Sequence, residues 1–384
     1  MPCGPRDLHS PRTVLLLHSS AGRYGADLQL LSIAEGLDRS RWRGVCVLPE
    51  RGELAGMLEE AGTEVVVHPL AVLRRSGASP GALLELGAGL RRDRALLGRL
   101  ARERDVALLH SNTSVILAGA ASLPHLVHVR EIYAGAGPRL LWPLWRRRLL
   151  RANALACVSG AVAEQFGGND KAFVLHDGLA REPRRAERGG ARAALGIPGD
   201  LFVVALLGRV SDWKGQDLLA AALARPELAE IAAVGLVAGD AWPGEERHQA
   251  ALERLAEGLD GRLRLLGFRE DVDEILGAAD VVVVPSKRPD PLPNSALEAA
   301  AAGVPLVASG HGGLNEIVRD GETGLLVPPG DEAALAGALR RLADDAALRE
   351  RMGAAAAADA AARFGRRRML DELEAAYERL LGDA

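Results

Sequence analysis

The sequence predicts an α/β fold of two doubly wound parallel-sheet domains. Short runs of Leu and Val alternate with longer helical stretches along the whole chain, and this alternation is typical of parallel sheets with helices on both faces. The strand candidates are nearly continuous apolar runs, as expected for strands covered on both sides. A length of 384 residues suits two domains of roughly 180 residues each.

The first domain is predicted to span residues 1–180. Its seven strand candidates are residues 14–18, 44–48, 64–67, 106–110, 125–129, 154–158 and 172–175. Helix-like segments lie between them, of which the clearest are residues 26–37, 53–60 and 83–103.

The second domain is predicted to span residues 181–365, because residues 181–190 are charged, contain Pro and end in two glycines, which is typical of a linker. Strand candidates then resume at residues 201–207, 234–238, 262–266, 281–284, 306–308 and 324–327. Helical segments follow at residues 332–342, 346–363 and 367–381. We expect residues 366–384 to form a C-terminal helix that packs on the first domain.

Composition and charge exclude several classes of function. A net charge of −4 gives no indication of a nucleic-acid partner. The three cysteines, Cys3, Cys46 and Cys157, are isolated, which fits a reducing compartment. The nine histidines show no metal-ligand spacing, so no metal is expected. Residues 13–17 are too short for a signal peptide and no apolar run reaches about 18 residues, which predicts a cytoplasmic protein.

The first segment that indicates chemistry is residues 206–216, where a strand ends and a helix begins. Arg209 and Lys214 flank this turn, and Gly215 precedes the helix. Two cations beside the free amides of a helix N-terminus suit a diphosphate, and they would stabilise negative charge that grows on a departing diphosphate. The alternative is a solvated Arg and Lys on a surface turn.

The second such segment runs from a strand end at Pro285 through a Pro-rich loop into a helix near Asn294. Asp290 lies in the loop and Glu298 in the helix. A carboxylate early in this helix can accept hydrogen bonds from both hydroxyls of a ribose. Alternatively, Glu298 is an ordinary helix carboxylate and Asp290 a turn residue between two prolines.

Together these two segments resemble family 4 of the retaining glycosyltransferases, which have the GT-B fold of two Rossmann-like domains facing a central cleft. The resemblance implies that Arg209 and Lys214 bind the donor phosphates and that Glu298 binds the ribose. It places Asp290 at the donor sugar, where the family usually has Glu. Because Asp is one methylene shorter than Glu, we expect this difference to affect which donor sugar is preferred.

Further segments carry the same resemblance. Residues 266–269 resemble the loop that holds the base through backbone contacts, and residues 239–241 resemble the family's Gly-Asp-Gly loop with Ala241 in place of the last Gly. Residues 22–27 resemble its glycine-rich loop, although a plain tight strand–helix turn is the alternative; the absence of GxGxxG there disfavours a nicotinamide dehydrogenase. The donor-binding residues that the resemblance implies are Gly25, Gly208, Gly239, Phe268, Arg269, Leu292, Pro293, Asn294 and Glu298.

Polar residues also close the fourth and fifth strands of the first domain. The resemblance implies that His128 contacts the donor sugar, and with Arg209, Lys214 and Asp290 it completes the predicted catalytic set. A purely structural histidine is the alternative. The predicted acceptor-side residues are His110, Asn112, Arg130 and Glu131.

Residues 140–150 combine Leu and Trp with three successive arginines. The favoured interpretation is an amphipathic helix with Trp and Leu packed inward and the arginines in water. The alternative is a helix that lies on a membrane, which would bring the protein into peripheral contact with the cytosolic face.

The resemblance implies sugar transfer with retention of configuration, without a metal or other cofactor. The predicted donor is a UDP-, GDP- or ADP-linked sugar, and the acceptor is a glycan, a lipid-linked sugar or a small molecule. Two rivals stay open: a nucleotide-sugar epimerase or phosphorylase on the same fold, and a nucleotide-sugar-binding scaffold with a decayed site.

Overall fold

The computed structural model describes residues 10–72, 80–119, 122–133, 142–181, 183–242 and 244–382. The chain divides into two compact units. Unit 1 comprises Met1–Ala180 together with Arg366–Ala384, and unit 2 comprises Arg181–Gly365. Each unit contains one parallel sheet flanked by helices, which confirms the predicted α/β fold class.

Unit 1 is built on seven parallel strands, and all seven lie at the predicted places. They are β1 (Arg12–Leu17), β2 (Trp42–Leu48), β3 (Glu64–Val67), β4 (Val106–Ser111), β5 (His125–Val129), β6 (Ala154–Cys157) and β7 (Ala172–Val174). The helices are α1 (Gly25–Gly36), α2 (Glu53–Glu60), α3 (Pro80–Glu103), α4 (Trp142–Leu149), α5 (Gly160–Glu164) and the C-terminal α15 (Arg366–Gly382). The strand order β3-β2-β1-β4-β5-β6-β7 reverses between β1 and β4, where ligands bind in open parallel sheets.

Helix α15 is part of the core of unit 1. Its apolar residues recur at helical spacing, so one face is continuous, and Leu370, Leu373 and Tyr377 pack in the same cluster as Leu16 and Trp42. The Trp42 and Tyr377 rings meet edge to face with centroids 5.2 Å apart. The last helix of the chain therefore contributes side chains directly beneath the first sheet.

Unit 2 is built on six parallel strands, again at the predicted places. They are β8 (Phe202–Leu207), β9 (Ala233–Ala238), β10 (Leu263–Gly267), β11 (Val281–Val284), β12 (Leu306–Ser309) and β13 (Gly324–Val327). The helices are α6 (Arg188–Ala194), α7 (Gln216–Ala224), α8 (Pro226–Ala229), α9 (Glu246–Glu257), α10 (Val272–Ala278), α11 (Asn294–Ala301), α12 (Leu314–Ile317), α13 (Glu332–Asp344) and α14 (Ala346–Arg363). In the order β10-β9-β8-β11-β12-β13 the switch point falls between β8 and β11.

A buried ion pair anchors the opposite, amino-terminal edge of this sheet. Asp280, which precedes β11, accepts hydrogen bonds from Arg192 at 2.8 Å and from the Val203 backbone amide at 2.8 Å. Because both charged side chains are almost fully buried, loss of Asp280 would leave the charge of Arg192 buried and uncompensated.

Helix α4 corrects part of the prediction for residues 140–150. Leu149 is buried, as predicted, but Leu144 is 67% exposed, so the inward packing expected of the leucines is wrong for Leu144. Trp142 stacks on Tyr133 with ring centroids 5.0 Å apart. Residues 140 and 141 lie outside the described residues. Over the described part of the chain, no helix has the length and apolar character needed to cross a membrane.

Candidate functional site

The loops that leave β8, β9 and β10 run side by side. The amide of Gly239 donates to the Gly267 carbonyl at 2.8 Å, and the amide of Gly208 donates to the Ala238 carbonyl at 2.9 Å. A Cβ at Gly239 would lie 2.2 Å from the Gly208 oxygen, and its φ is +142°. Only glycine tolerates both conditions, so Gly239 keeps the first two loops in close contact.

Arg209 and Lys214, the predicted phosphate-binding cations, both lie in the loop between β8 and α7. The guanidinium carbon of Arg209 is 4.0 Å from the ring centroid of Trp242. The ammonium of Lys214 is 4.5 Å from the ring centroid of Trp213 and 2.6 Å from Oδ2 of Asp290. The structure thus brings together Lys214 and Asp290, which belong to the two separate segments identified in the sequence.

Backbone contacts hold these two segments against each other. Gly215 has φ +81°, and a Cβ there would lie 2.1 Å from the Pro285 carbonyl oxygen. The amide of Lys287 donates to the Trp213 carbonyl at 2.7 Å. The glycine that opens α7 is therefore required for the loop before α11 to approach, and this approach places Asp290 beside Lys214.

Ser286, which lies beside Asp290, and His311, which contacts Ser286, were missed by sequence reasoning. Oγ of Ser286 lies 3.5 Å from Oδ2 of Asp290, and Nε2 of His311 donates to the Ser286 carbonyl at 2.8 Å. Asp290 itself is 5% exposed, and its carbonyl accepts from the Gly313 amide at 2.8 Å. Ser286 and His311 follow the adjacent strands β11 and β12, which is the signal that could have found them.

Glu298 lies in the second turn of α11, and Pro293 precedes that helix. Burial raises the pKa of Glu298 to about 7, which Asp273 reinforces and Arg181 opposes. Among the described residues, its carboxylate has no hydrogen-bond or ion-pair partner. A carboxylate whose oxygens have no other partner can accept hydrogen bonds from the hydroxyls of a ligand. Of the neighbouring predicted residues, Leu292 is buried and Asn294 is the first residue of the helix.

The loop after β10 contains the predicted base-contacting residues. Phe268 is 50% exposed, and its amide already donates to Oδ2 of Asp240 at 3.0 Å. Nε of Arg269 donates to Oδ1 of Asp271 at 2.7 Å, and this hydrogen bond raises the pKa of Arg269. Because the Phe268 amide is already hydrogen-bonded to Asp240, a nucleotide base bound by this loop would contact its other backbone groups.

In unit 1, Gly25 is the first residue of α1, and the loop before it is held by a buried carboxylate. Asp27 accepts hydrogen bonds from Nε2 of His18 at 2.7 Å and from the Tyr24 amide at 2.8 Å. Burial opposes ionisation of Asp27, but the hydrogen bonds from His18 and Ser20 outweigh it and lower its pKa. The predicted glycine-rich loop is therefore a turn whose conformation is fixed by hydrogen bonds to Asp27.

The structure brings Asn112, Arg130 and His128 together at the carboxyl ends of β4 and β5. Nε of Arg130 donates to the Asn112 carbonyl at 2.9 Å, and Nη2 of Arg130 is 3.3 Å from Nδ1 of His128. Arg130 also pairs with Asp177, a buried residue that the prediction did not include. Glu131 accepts from the amide and hydroxyl of Ser114.

His110 and His128 are both fully buried. Their rings stack with centroids 5.6 Å apart, and Nδ1 of His110 is 2.7 Å from the hydroxyl of Tyr377 in α15. Burial lowers the pKa of His110 to about 3 and that of His128 well below its usual value, so both are neutral at pH 7. The structure places His110 in the interior of unit 1; its acceptor contact and the sugar contact of His128 stay predictions.

No group of three or more His, Cys, Asp or Glu side chains is arranged to hold a metal ion within the described residues. The candidate site of unit 2 contains the cations Arg209 and Lys214 in the loop after β8, and the carboxylates Asp290 and Glu298 in the loop and helix after β11. The two parallel-sheet, Rossmann-like units have the fold of GT-B glycosyltransferase structures.

Comparison with known proteins finds similar sequences and similar structures. Residues 202–345 match the family model described as glycosyl transferases group 1. The relatives named D-inositol 3-phosphate glycosyltransferase from Streptomyces scabiei and Stackebrandtia nassauensis are each 39% identical, over 203 and 224 residues. These matches cover 50% and 56% of this chain but 45% and 49% of the relatives, so the chain spans about half the length of the curated relatives it matches.

Similarity to solved structures extends over nearly the whole chain. The Anabaena protein Alr3699/HepE, solved in complex with UDP, superposes with a TM-score of 0.80 at 26% identity and covers 96% of this chain and 100% of its own. The same protein has been solved with UDP-glucose. Sucrose-phosphate synthase from Thermosynechococcus elongatus shares the fold, with a TM-score of 0.79 at 20% identity over 97% of this chain and 100% of its own.

Proposed function

We propose that this protein transfers a sugar from a UDP-linked donor to the hydroxyl of an acceptor, with retention of configuration. The observation that carries the proposal is that Arg209 and Lys214 lie in the one loop after β8 and that the Lys214 ammonium is 2.6 Å from Asp290. Glu298, whose pKa is raised, lies in the same unit. The choice of uridine is supported by the full-length similarity to a protein solved with UDP and UDP-glucose.

Arg209 and Lys214 would bind the diphosphate and stabilise the negative charge that develops as it leaves. Two fixed cations can do this without a metal ion, and we propose that none is required. Asp290 holds the Lys214 ammonium in place before the donor arrives, since the two groups are 2.6 Å apart. In the donor complex, Asp290 would lie at the edge of the phosphate site, within reach of the sugar.

Glu298 would accept hydrogen bonds from the ribose hydroxyls. Hydrogen bonds to a carboxylate favour its charged form, so nucleotide binding would lower the pKa of Glu298 from about 7. This residue would therefore couple binding to the release of a proton near neutral pH.

The reaction would need no covalent intermediate on the protein. The acceptor oxygen would attack the anomeric carbon on the face from which the diphosphate departs, and the leaving phosphate would take the acceptor proton as the new glycosidic bond forms. The acceptor is proposed as a glycan, a lipid-linked sugar or a small molecule. We place the reaction in the cytoplasm, with the exposed Leu144 and Arg147 of α4 offering peripheral contact with a membrane.

The first test is thermal unfolding of the purified protein with UDP, GDP, ADP and their common sugar conjugates. A nucleotide at a hundred times its Kd adds about 2.7 kcal/mol to the free energy of unfolding. We expect UDP to raise the unfolding midpoint of the wild type clearly more than that of Arg209→Ala. The absence of a shift with every nucleotide would contradict a donor site and favour the scaffold alternative.

The second test follows the fate of the donor sugar with and without acceptor. A transferase releases UDP and forms product only when an acceptor is present. Conversion of the donor alone would instead identify an epimerase, and a requirement for inorganic phosphate would identify a phosphorylase. Retention is read from the anomeric configuration of the product by NMR.

A further inference from the structure

Trp242 is an exposed aromatic residue that the proposed mechanism does not use. It follows the Gly239–Ala241 turn after β9, and 44% of its surface is exposed. The Arg209 guanidinium lies over its ring, 4.0 Å from the centroid. An exposed indole stacked on a predicted phosphate-binding arginine calls for a functional explanation.

The backbone holds Trp242 at this position. The amide of Val210 donates to the Asp240 carbonyl at 3.0 Å, and Val210 and Ala241 form a parallel β-bridge. Because these contacts involve the residues adjacent to Arg209 and Trp242, they place the two side chains side by side. The contact between the loops of β8 and β9 at Gly239 reinforces this arrangement.

The geometry suits an arginine that must also bind phosphate. Stacking on an indole uses the flat face of the guanidinium, whereas its N–H groups point outward in the plane of the group. One guanidinium can therefore stack on an aromatic ring and donate two hydrogen bonds to phosphate oxygens. Lys214 is supported in a related way, by the Trp213 ring and by the Asp290 carboxylate.

We propose that Trp242 is a positioning residue that holds Arg209 ready for the diphosphate of the donor. Trp242 acts through Arg209 and makes no contact of its own with the nucleotide. This inference rests on the proposed function, because it assumes that Arg209 binds a diphosphate. It adds a residue outside the Arg–Lys pair and the two acids, on a different strand end.

The test is a double-mutant cycle on UDP affinity, measured by titration calorimetry. We expect Trp242→Ala to weaken UDP binding about five-fold, close to the 1 kcal/mol typical of an arginine–tryptophan contact. Arg209→Ala should weaken it by at least about ten-fold. The double variant should bind UDP no more weakly than Arg209→Ala alone, because Trp242 has nothing to position once the guanidinium is removed.

Three controls separate positioning from general disruption. Trp242→Phe keeps an aromatic face and should restore most of the affinity, whereas Trp242→Leu keeps apolar bulk without the ring and should not. Leu255→Ala truncates a side chain in α9 with a similar exposure of 43% and should leave affinity unchanged. Uridine, which lacks phosphates, should bind Trp242→Ala and wild type equally.

The outcomes distinguish the inference from the function on which it rests. Wild-type UDP affinity in Trp242→Ala, or effects of the two substitutions that multiply in the double variant, would overturn the positioning role while leaving the diphosphate site intact. An equal loss of uridine and UDP binding in Trp242→Ala would show direct contact with the nucleotide and overturn it as well. Wild-type UDP affinity in Arg209→Ala would instead refute the diphosphate assignment, and the inference with it.

Discussion

Glu298→Gln is expected to stabilise unit 2 at high pH and to have little effect on its stability at low pH. Burial raises the pKa of Glu298 from its usual 4.5 to about 7. Between these two values the folded protein binds a proton that the unfolded chain does not, so the free energy of unfolding falls as pH rises through this window. Gln stays neutral and avoids the cost of charging a buried carboxylate.

The size of the effect follows from the difference between the two pKa values. A rise from 4.5 to about 7 corresponds to about 3 kcal/mol at most, because one pKa unit is worth about 1.4 kcal/mol. The stability difference between Glu298→Gln and wild type should therefore be near zero at pH 4.5 and grow to between about 1 and 3 kcal/mol at pH 8.

The assay is urea unfolding of both proteins at half-unit pH intervals from 4.5 to 8.5, followed by the transition that belongs to unit 2. Glu257→Gln, an exposed glutamate at the end of α9, is the matched control and should show no pH-dependent difference. A Glu298→Gln difference that is constant across pH, or a loss of stability at pH 8, would refute the argument that desolvation of Glu298 raises its pKa.

The remaining predictions concern other contacts. Lys214→Ala should lower kcat at least about a hundredfold with unchanged circular dichroism, because a fixed donor to the leaving group is lost; near-normal turnover would refute its role. Gly239→Ala should destabilise unit 2 by about 1 to 3 kcal/mol in urea, since its Cβ would lie 2.2 Å from the Gly208 oxygen, whereas Gly330→Ala, with φ +80° and open space around it, isolates the backbone cost alone. Asp177→Asn should destabilise unit 1 by about 3 kcal/mol, because it leaves the nearly buried Arg130 unpaired; an unchanged unfolding midpoint would show that the pair is replaceable.

The strands were predictable because parallel strands covered on both faces must be apolar throughout. The four valines of β11 are all buried, and such runs stand out against amphipathic helices. The loops of the unit 2 site were also identifiable, since Gly, Pro and charged residues cluster where those strands end. The resemblance of these loops to a known family predicted which of their residues to examine.

The contacts between distant residues could not be read from the sequence. His110 ends a strand like other predicted site residues, yet it hydrogen-bonds to Tyr377, 267 residues further along the chain. Nothing near His110 in the sequence indicates that α15 packs beneath it. Trp242 was likewise overlooked, because its significance depends on Arg209 in the loop of another strand.

The sequence by itself determined the α/β class, the thirteen strands of the two sheets and the two segments that contain Arg209, Lys214, Asp290 and Glu298. These features follow from local patterns of apolar and loop-forming residues. Only the tertiary structure decided that Asp290 pairs with Lys214, that Trp242 stacks on Arg209 and that Glu298 has a raised pKa. Pairing, stacking and desolvation depend on which loops the sheet brings together, and strand order sets that arrangement independently of distance along the chain.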